Sequence, residues 1–187
     1  MAPTGEVIRV LEADPDLAEG LSSEQELFAR ATAVARVDAL DLGEWRADEE
    51  YPGVPGHLGL LMLDGLLARD MRIGDRTCLE LLGPGDILRP WVKLAAFSSV
   101  PIDSHWTVVE PARIAVLDRR FAVTMIRFPE IAGAILDRMM ARSRWLAFHL
   151  AVCHLRLIEE RLLVVLWHFA GIDEGTRGNP VREHEPD

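Results

Sequence analysis

From Arg36 to Asp118 the chain is a series of short apolar runs, VDALDL, HLGLLMLDG, LLARDMRIG, TCLELLGPGD, WTVVEP and RIAVLD, each cut off by Gly, Pro or Asp. That spacing predicts an all-β roll or barrel over residues 36–118. The breaks carry specific turn chemistry. Asp64-Gly65 between two apolar runs predicts a hairpin, because a primed turn needs positive φ. Gly74-Asp75 predicts a second one, and Gly83-Pro84-Gly85-Asp86 joins a φ-locking proline to two permissive glycines in a sharp turn.

Either side of this region the period is helical. Ser22 or Ser23 before Glu24 and Glu26 starts a short helix, with Leu27, Ala31 and Val34 at helical spacing, so residues 1–35 read as a helical lead-in. After Asp118, RRFAVTMIRF forms a short helix, and Pro129 is placed where the first turn of the next tolerates it. That second helix runs from about Glu130 to Ile158, within a segment 119–158, and Ile135, Met139, Leu146, Leu150, Cys153 and Leu157 recur on it by threes and fours. A second row, Leu136, Met140, Ala147, Ala151 and Ile158, flanks the first. A helix with two apolar faces buries both: one against the roll and the other against a second copy in a two-fold arrangement, or else both within one monomer. IEERLLVVLWHFAG opens a further helix over 159–171 with Gly171 as its stop, and 172–187 reads as a disordered tail.

Composition removes other classes. Net charge is −10, which argues against a nucleic-acid surface over the whole molecule, since such affinity rests on Lys and Arg at phosphates. The charge is uneven: residues 1–64 hold 4 basic and 14 acidic groups, while 119–161 hold 8 Arg against Glu130, Asp137, Glu159 and Glu160. The start lacks the basic and apolar pattern of a secretory signal, and no apolar stretch is long enough for a membrane span, which points to the cytoplasm and no membrane partner. Cys78 and Cys153 form no CxxC and read as small core residues. His149 and His154 do not share a helix face, so no metal site is expected, although a cupin-like metalloenzyme is a further alternative. No nucleophile elbow, P-loop or dinucleotide fingerprint is present; an enzyme is not expected, and no catalytic residue or cofactor is assigned.

Four segments, LGLLMLDGLLARDMRIGD, LELLGPGDILRPW, WTVVEPARIAVLDRRF and RLIEERLLVVLWHFA, follow one another in an order that resembles the CRP/FNR family of bacterial transcription regulators, in an actinobacterial-type branch. The resemblance covers about residues 25–170. It implies an α+β fold: a cyclic-nucleotide-binding-like β-roll of the jelly-roll type, followed by a long dimerisation helix and a short terminal helix. It also implies a phosphate-binding cassette within GDILRPWVKLAAFSSVPIDSHWTV, where a short helix offers backbone N–H groups and an Arg to a cyclic phosphate. Here Arg89-Pro90 stands where that pattern has Gly-Glu, and Asp103-Ser104-His105 where it has Arg-Ser/Thr-Ala. A carboxylate in place of the arginine repels a phosphate, so cyclic AMP is not expected to bind in the standard way.

The candidate ligand-binding residues are therefore Gly85, Asp86, Leu88, Arg89, Trp91, Ser104, Trp106 and Arg142, with Arg89 as an anion fork and the tryptophans as flat faces for a ring. The candidate dimer interface is Ile135, Met139, Leu146, Leu150, Cys153 and Leu157. The family's winged helix-turn-helix has only its first helix here, so DNA contact is expected only through a domain outside this sequence. Two functions stand: an effector-sensing and homodimerising module with an unidentified small molecule, or a ligand-free protein that forms mixed dimers with full-length regulators.

Overall fold

The computed structural model describes residues 5–92 and 103–175. In chain order its elements are β1 (Glu6–Arg9), α1 (Val10–Ala13), a 3-10 turn (Pro15–Ala18), α2 (Ser23–Thr32), β2 (Val34–Leu40), β3 (Gly43–Trp45), α3 (Ala47–Glu50), β4 (Gly59–Ile73), β5 (Arg76–Leu82), β6 (Ile87–Leu88), β7 (Asp103–Leu117), α4 (Arg119–Met125), α5 (Pro129–Cys153) and α6 (Ile158–Gly175). The chain divides into two compact units between Met140 and Ala141.

In the first unit the strands form one antiparallel sheet in the order β1-β2-β7-β4-β5, with β3 also paired to β7 and β6 to β4. Its axis is the pairing of β4 with β7, two strands of 15 residues each. Successive side chains on a strand point to opposite faces, and here both faces are covered. Leu61, Ala115 and Leu117 face a core built with Leu11, Leu17, Phe121, Met125, Ile131 and Ile135 from the helices. Leu60, Met62, Ile114 and Val116 point the other way, into the inside of the roll, where they meet Trp45, Tyr51, Leu67, Leu88 and Trp106. The N-terminal segment does more than lead in: Glu6–Arg9 pairs with Val34–Val37 and extends the sheet.

Local signals act largely where the residue types place them. Ser22 caps α2, accepting from the Gln25 amide, while the Gln25 side chain accepts from the Ser22 amide. The face of α2 differs from expectation: Ala29 is buried and Leu27 is 77% exposed, because tertiary packing selects the small side chain for the close approach. Gly74-Asp75 is a two-residue hairpin loop between Ile73 and Arg76, with Gly74 at φ +61. Gly83-Pro84-Gly85-Asp86 is a turn closed by the Asp86 amide on the Gly83 carbonyl at 3.1 Å, with Gly85 at φ +86 and the Asp86 carboxylate accepting from the Gly83 amide.

Asp64-Gly65 is not a hairpin. The chain passes straight through it, so HLGLLMLDG and LLARDMRIG are one strand, as are WTVVEP and RIAVLD. The pairing of β4 with β7 shifts register here, and Gly65 opposes both Pro111 and Ala112. Positive φ serves a bulge as well as a primed turn, and a proline, which donates no amide, is tolerated in a sheet at such an irregularity. The Asp64 carboxylate locks the bulge by accepting from the Arg113 amide at 2.9 Å and the Arg113 Nε at 2.7 Å. That pairing holds the Arg113 guanidinium above its ordinary pKa.

Both cysteines are exposed, not in the core: Cys78 lies on β5, which among the described strands pairs with β4 alone, and Cys153 ends α5. The long helix stops at Cys153 instead of reaching Ile158, and Leu157 falls in the connection that follows. Arg161 Nε donates to the Leu155 carbonyl at 2.8 Å across that connection. The terminal helix continues past Gly171 to Gly175, and the tail beyond lies outside the described residues.

A β-carbon on Gly65 would lie 2.4 Å from the Pro111 carbonyl oxygen and 2.5 Å from the Ala112 Cα, in a left-handed conformation. Gly65→Ala is expected to cost about 2 kcal/mol or more in urea unfolding. Gly83→Ala, which meets nothing, should stay within about 0.5 kcal/mol of the parent.

Candidate functional site

Inside the roll, cross-strand register brings together four residues that are remote in sequence. Trp45 on β3 is paired with Trp106 on β7, Trp106 with Arg69 on β4, and Arg69 with Glu80 on β5. Directly paired residues point to the same face of a sheet, so these side chains form a row across four strands. The two indoles meet edge to face, 5.7 Å between centroids. The Arg69 guanidinium lies over the Trp106 ring at 5.1 Å and is ion-paired with Glu80.

Three members of the row are desolvated, Trp45, Trp106 and Glu80 being 5%, 7% and 4% exposed, and the Arg69 side chain is 23% exposed. Burying a carboxylate is costly unless it is paired, and Arg69 supplies that pairing. Two N–H donors in the row, Trp45 Nε1 and Arg69 Nε, are buried without a hydrogen-bond acceptor among the described residues. Buried donors of this kind are uncommon, and each costs free energy that an acceptor would recover.

The row has a polar neighbour. Trp45 packs edge to face on Tyr51, and the Tyr51 hydroxyl donates at 2.7 Å to Asp38, which is also paired with Arg36 at 2.8 Å. Burial, and then the hydrogen bond to the Asp38 carboxylate, push the Tyr51 hydroxyl far above its ordinary pKa.

The residues singled out in the sequence are distributed over several places. Leu88 and Trp106 are in the interior core, and Trp91 packs against it. The Arg89 guanidinium is exposed and lies over the Trp91 ring at 5.8 Å. Ser104 is exposed at the start of β7, and the adjacent Asp103 carboxylate is 3.4 Å from Arg72 across the ladder. The rest of the cassette segment, residues 93–102, lies outside the described residues.

Gly85 belongs to a different feature, a cavity of about 250 Å³ lined by Asp14, Asp16, Met62, Gly85 and Arg138 among others, while the Asp86 carboxylate accepts from the Gly83 amide. In that cavity Arg138 of α5 donates to both carboxylate oxygens of Asp14, and to the Gly85 carbonyl at 3.4 Å. Those bonds to Asp14 raise the Arg138 pKa further. Arg142 lies in the second unit. Sequence reading missed Trp45, Arg69 and Glu80, since only register aligns them.

Of the candidate dimer row, Met139 in the first unit is 39% exposed, and in the second unit Leu146 and Leu150 are 42% and 64% exposed, with Cys153 also exposed. Leu136 and Met140 in the first unit are exposed as well. Ile135, by contrast, is buried in the monomer's own core. No group of three or more His, Cys, Asp or Glu side chains placed to hold a metal is present among the described residues. No described helix is long and apolar enough to cross a membrane.

Two measurements follow from the row and its neighbour. Arg69→Met alone removes the arginine from the buried Glu80 carboxylate and should cost about 3 kcal/mol, whereas Arg69→Met with Glu80→Met should recover most of that loss in chemical denaturation. Tyr51 is the chain's single tyrosine, so near-ultraviolet phenolate absorbance reports it alone. Its folded pKa is raised, so its contribution to stability is complete below the ordinary value of 10.0 and is lost as pH rises above it. The native protein should therefore show no phenolate until it unfolds in alkali, and Tyr51→Phe should flatten the stability loss above that pH.

No protein-family model matches the chain, and no curated protein does. Solved structures do. A double mutant of CooA from Carboxydothermus hydrogenoformans aligns with a TM-score of 0.51 at 17% identity, over 82% of this chain and 95% of that one. CprK complexed with OCPA aligns with a TM-score of 0.51 at 13% identity, over 72% of this chain and 60% of that one. A cyclic nucleotide-binding domain containing protein from Listeria monocytogenes EGD-e aligns with a TM-score of 0.50 at 16% identity, over 71% and 60%. At these identities the likeness is one of fold, and the fold is the cyclic-nucleotide-binding-like β-roll followed by a long helix.

Proposed function

We propose that the chain is the effector-sensing and pairing module of a CRP/FNR-type transcription regulator, with a small molecule received inside the β-roll over the Trp45–Trp106–Arg69–Glu80 row. The observation that carries this reading is the pair of buried donors, Trp45 Nε1 and Arg69 Nε, in a desolvated aromatic wall. A planar ligand with acceptor oxygens would stack on the indoles and satisfy those N–H groups. Leu88, Arg89 and Trp91 would border the same chamber. CprK is an example of this fold with a small molecule bound.

The effector differs from a cyclic nucleotide held by the usual cassette. Asp103 presents a carboxylate where the family resemblance calls for a phosphate-binding arginine, and Arg89 is turned onto Trp91. The exposed α5 residues Leu136, Met139, Leu146, Leu150 and Cys153 form the two-fold seam with a second copy. Binding in the roll would then shift the paired helices between two arrangements. The second reading, a ligand-free interaction protein, is favoured by one observation: Trp45, Tyr51, Met62 and Trp106 already fill the interior with well-packed side chains.

Thermal unfolding against a panel of cyclic nucleotides, inorganic phosphate and aromatic carboxylates separates the two. An aromatic carboxylate at about a hundred times its dissociation constant should stabilise the chain by about 3 kcal/mol, and Arg69→Met with Glu80→Met should abolish the effect. No shift with any member of the panel would sink the sensing reading and leave the ligand-free one.

A further inference from the structure

Arg138 ties together parts of the first unit that are remote in sequence. It lies on α5 just before the division between Met140 and Ala141. Its guanidinium donates to both carboxylate oxygens of Asp14, at 2.6 Å on Oδ1, and to the Gly85 carbonyl at 3.4 Å. The Arg138 and Asp14 side chains are 22% and 13% exposed, so parting them costs more than parting a surface pair.

Two features set this contact apart from a fixed structural ion pair. The first is a choice of partner. The Asp16 carboxylate, 88% exposed, stands 4.0 Å from the same guanidinium, and the cavity lined by Asp14, Asp16, Gly85 and Arg138 leaves the guanidinium room to turn from one carboxylate to the other. A close-packed interior would hold a single arrangement.

The second feature is a connection to the inside of the roll. Met62 lines the cavity and is also buried in the interior cluster with Trp45, Leu88 and Trp106. Its backbone holds the neighbouring turn: the Gly85 amide donates to the Met62 carbonyl, and the Met62 amide to the Asp86 carbonyl, both at 2.9 Å. A displacement of Met62 carries the Gly85 carbonyl with it, and that carbonyl is one of the anchors of Arg138.

We infer that Arg138 is a two-position latch for α5, seated on Asp14 in this structure and on Asp16 when the roll interior is displaced. This rests on the sensing reading above and gives it a route. A molecule entering over Trp106 must move Met62 or Leu88, which draws Gly85 off the guanidinium and favours Asp16. The ligand then binds the second position better than the first, and only such a difference shifts an equilibrium.

Two neutral variants of the full 187-residue chain push the latch in opposite directions. Asp14→Asn removes the first seat and Asp16→Asn the second. With benzoate as the probe, Asp14→Asn should lower the dissociation constant about fivefold and Asp16→Asn should raise it about fivefold. A fixed ion pair gives no such opposition of sign. Should Asp14→Asn fail to fold by circular dichroism, Asp16→Asn, at an exposed position, decides through its sign alone.

The latch is also read without a ligand. Spin labels on Cys78 and Cys153, the chain's two cysteines and both exposed, report α5 through their distance distribution when labelled chain is diluted into unlabelled chain. Asp14→Asn should shift that distribution, benzoate should shift the parent in the same sense, and Asp16→Asn should leave it as in the parent. An unchanged distribution in folded Asp14→Asn overturns the latch. Benzoate that binds without moving the labels, or binds both variants equally, overturns it and leaves the sensing reading standing. A shift in Asp14→Asn with no member of the ligand panel bound keeps the latch and sinks the sensing reading.

Discussion

The antiparallel pairing of β4 with β7, bent at the Gly65 bulge, is the constraint on which the rest of the first unit depends. Two strands of this length cannot stay flat against a small core, and the bulge lets them curl while the Asp64–Arg113 bonds hold the register. With both faces of the strands apolar, one side must take helices and the other must close on itself. Leu61 and Leu117 on one side and Leu60 and Val116 on the other record that division residue by residue.

Once the roll is closed, its interior must accept what the register delivers. Trp45, Trp106, Arg69 and Glu80 arrive at one level because four strands are paired there. Hydrophobic filling alone would have needed neither the ion pair nor the unsatisfied donors. A buried arginine–carboxylate pair adds little net stability compared with apolar side chains of like volume, so packing alone does not account for it.

How far this was legible depended on the range of the interaction. Ser22 with Gln25, Gly74-Asp75, and the turn at Gly83-Pro84-Gly85-Asp86 work through bonds within a few residues, and each acts where its residue types indicate. Asp64-Gly65 misled because a primed turn and a bulge ask the same thing of a glycine; only the facing Pro111 and Ala112 tell them apart. Leu27 and the cysteines misled because hydrophobicity does not say which face tertiary packing will choose. Of the ligand candidates, Leu88, Trp91 and Trp106 converge on the interior, whereas Gly85 lines the Arg138 cavity.

The sequence by itself determined that strands and turns fill the region up to Asp118, that the period becomes helical after it, and that apolar residues recur along the long helix. All of these are periodicities that a local window contains. Tertiary structure alone decided that Ile135 belongs to the monomer's core, that β1 joins the sheet, and that Trp45, Arg69 and Glu80 stand beside Trp106. Register couples residues that are dozens of positions apart, and no local pattern carries the free energy that sets it.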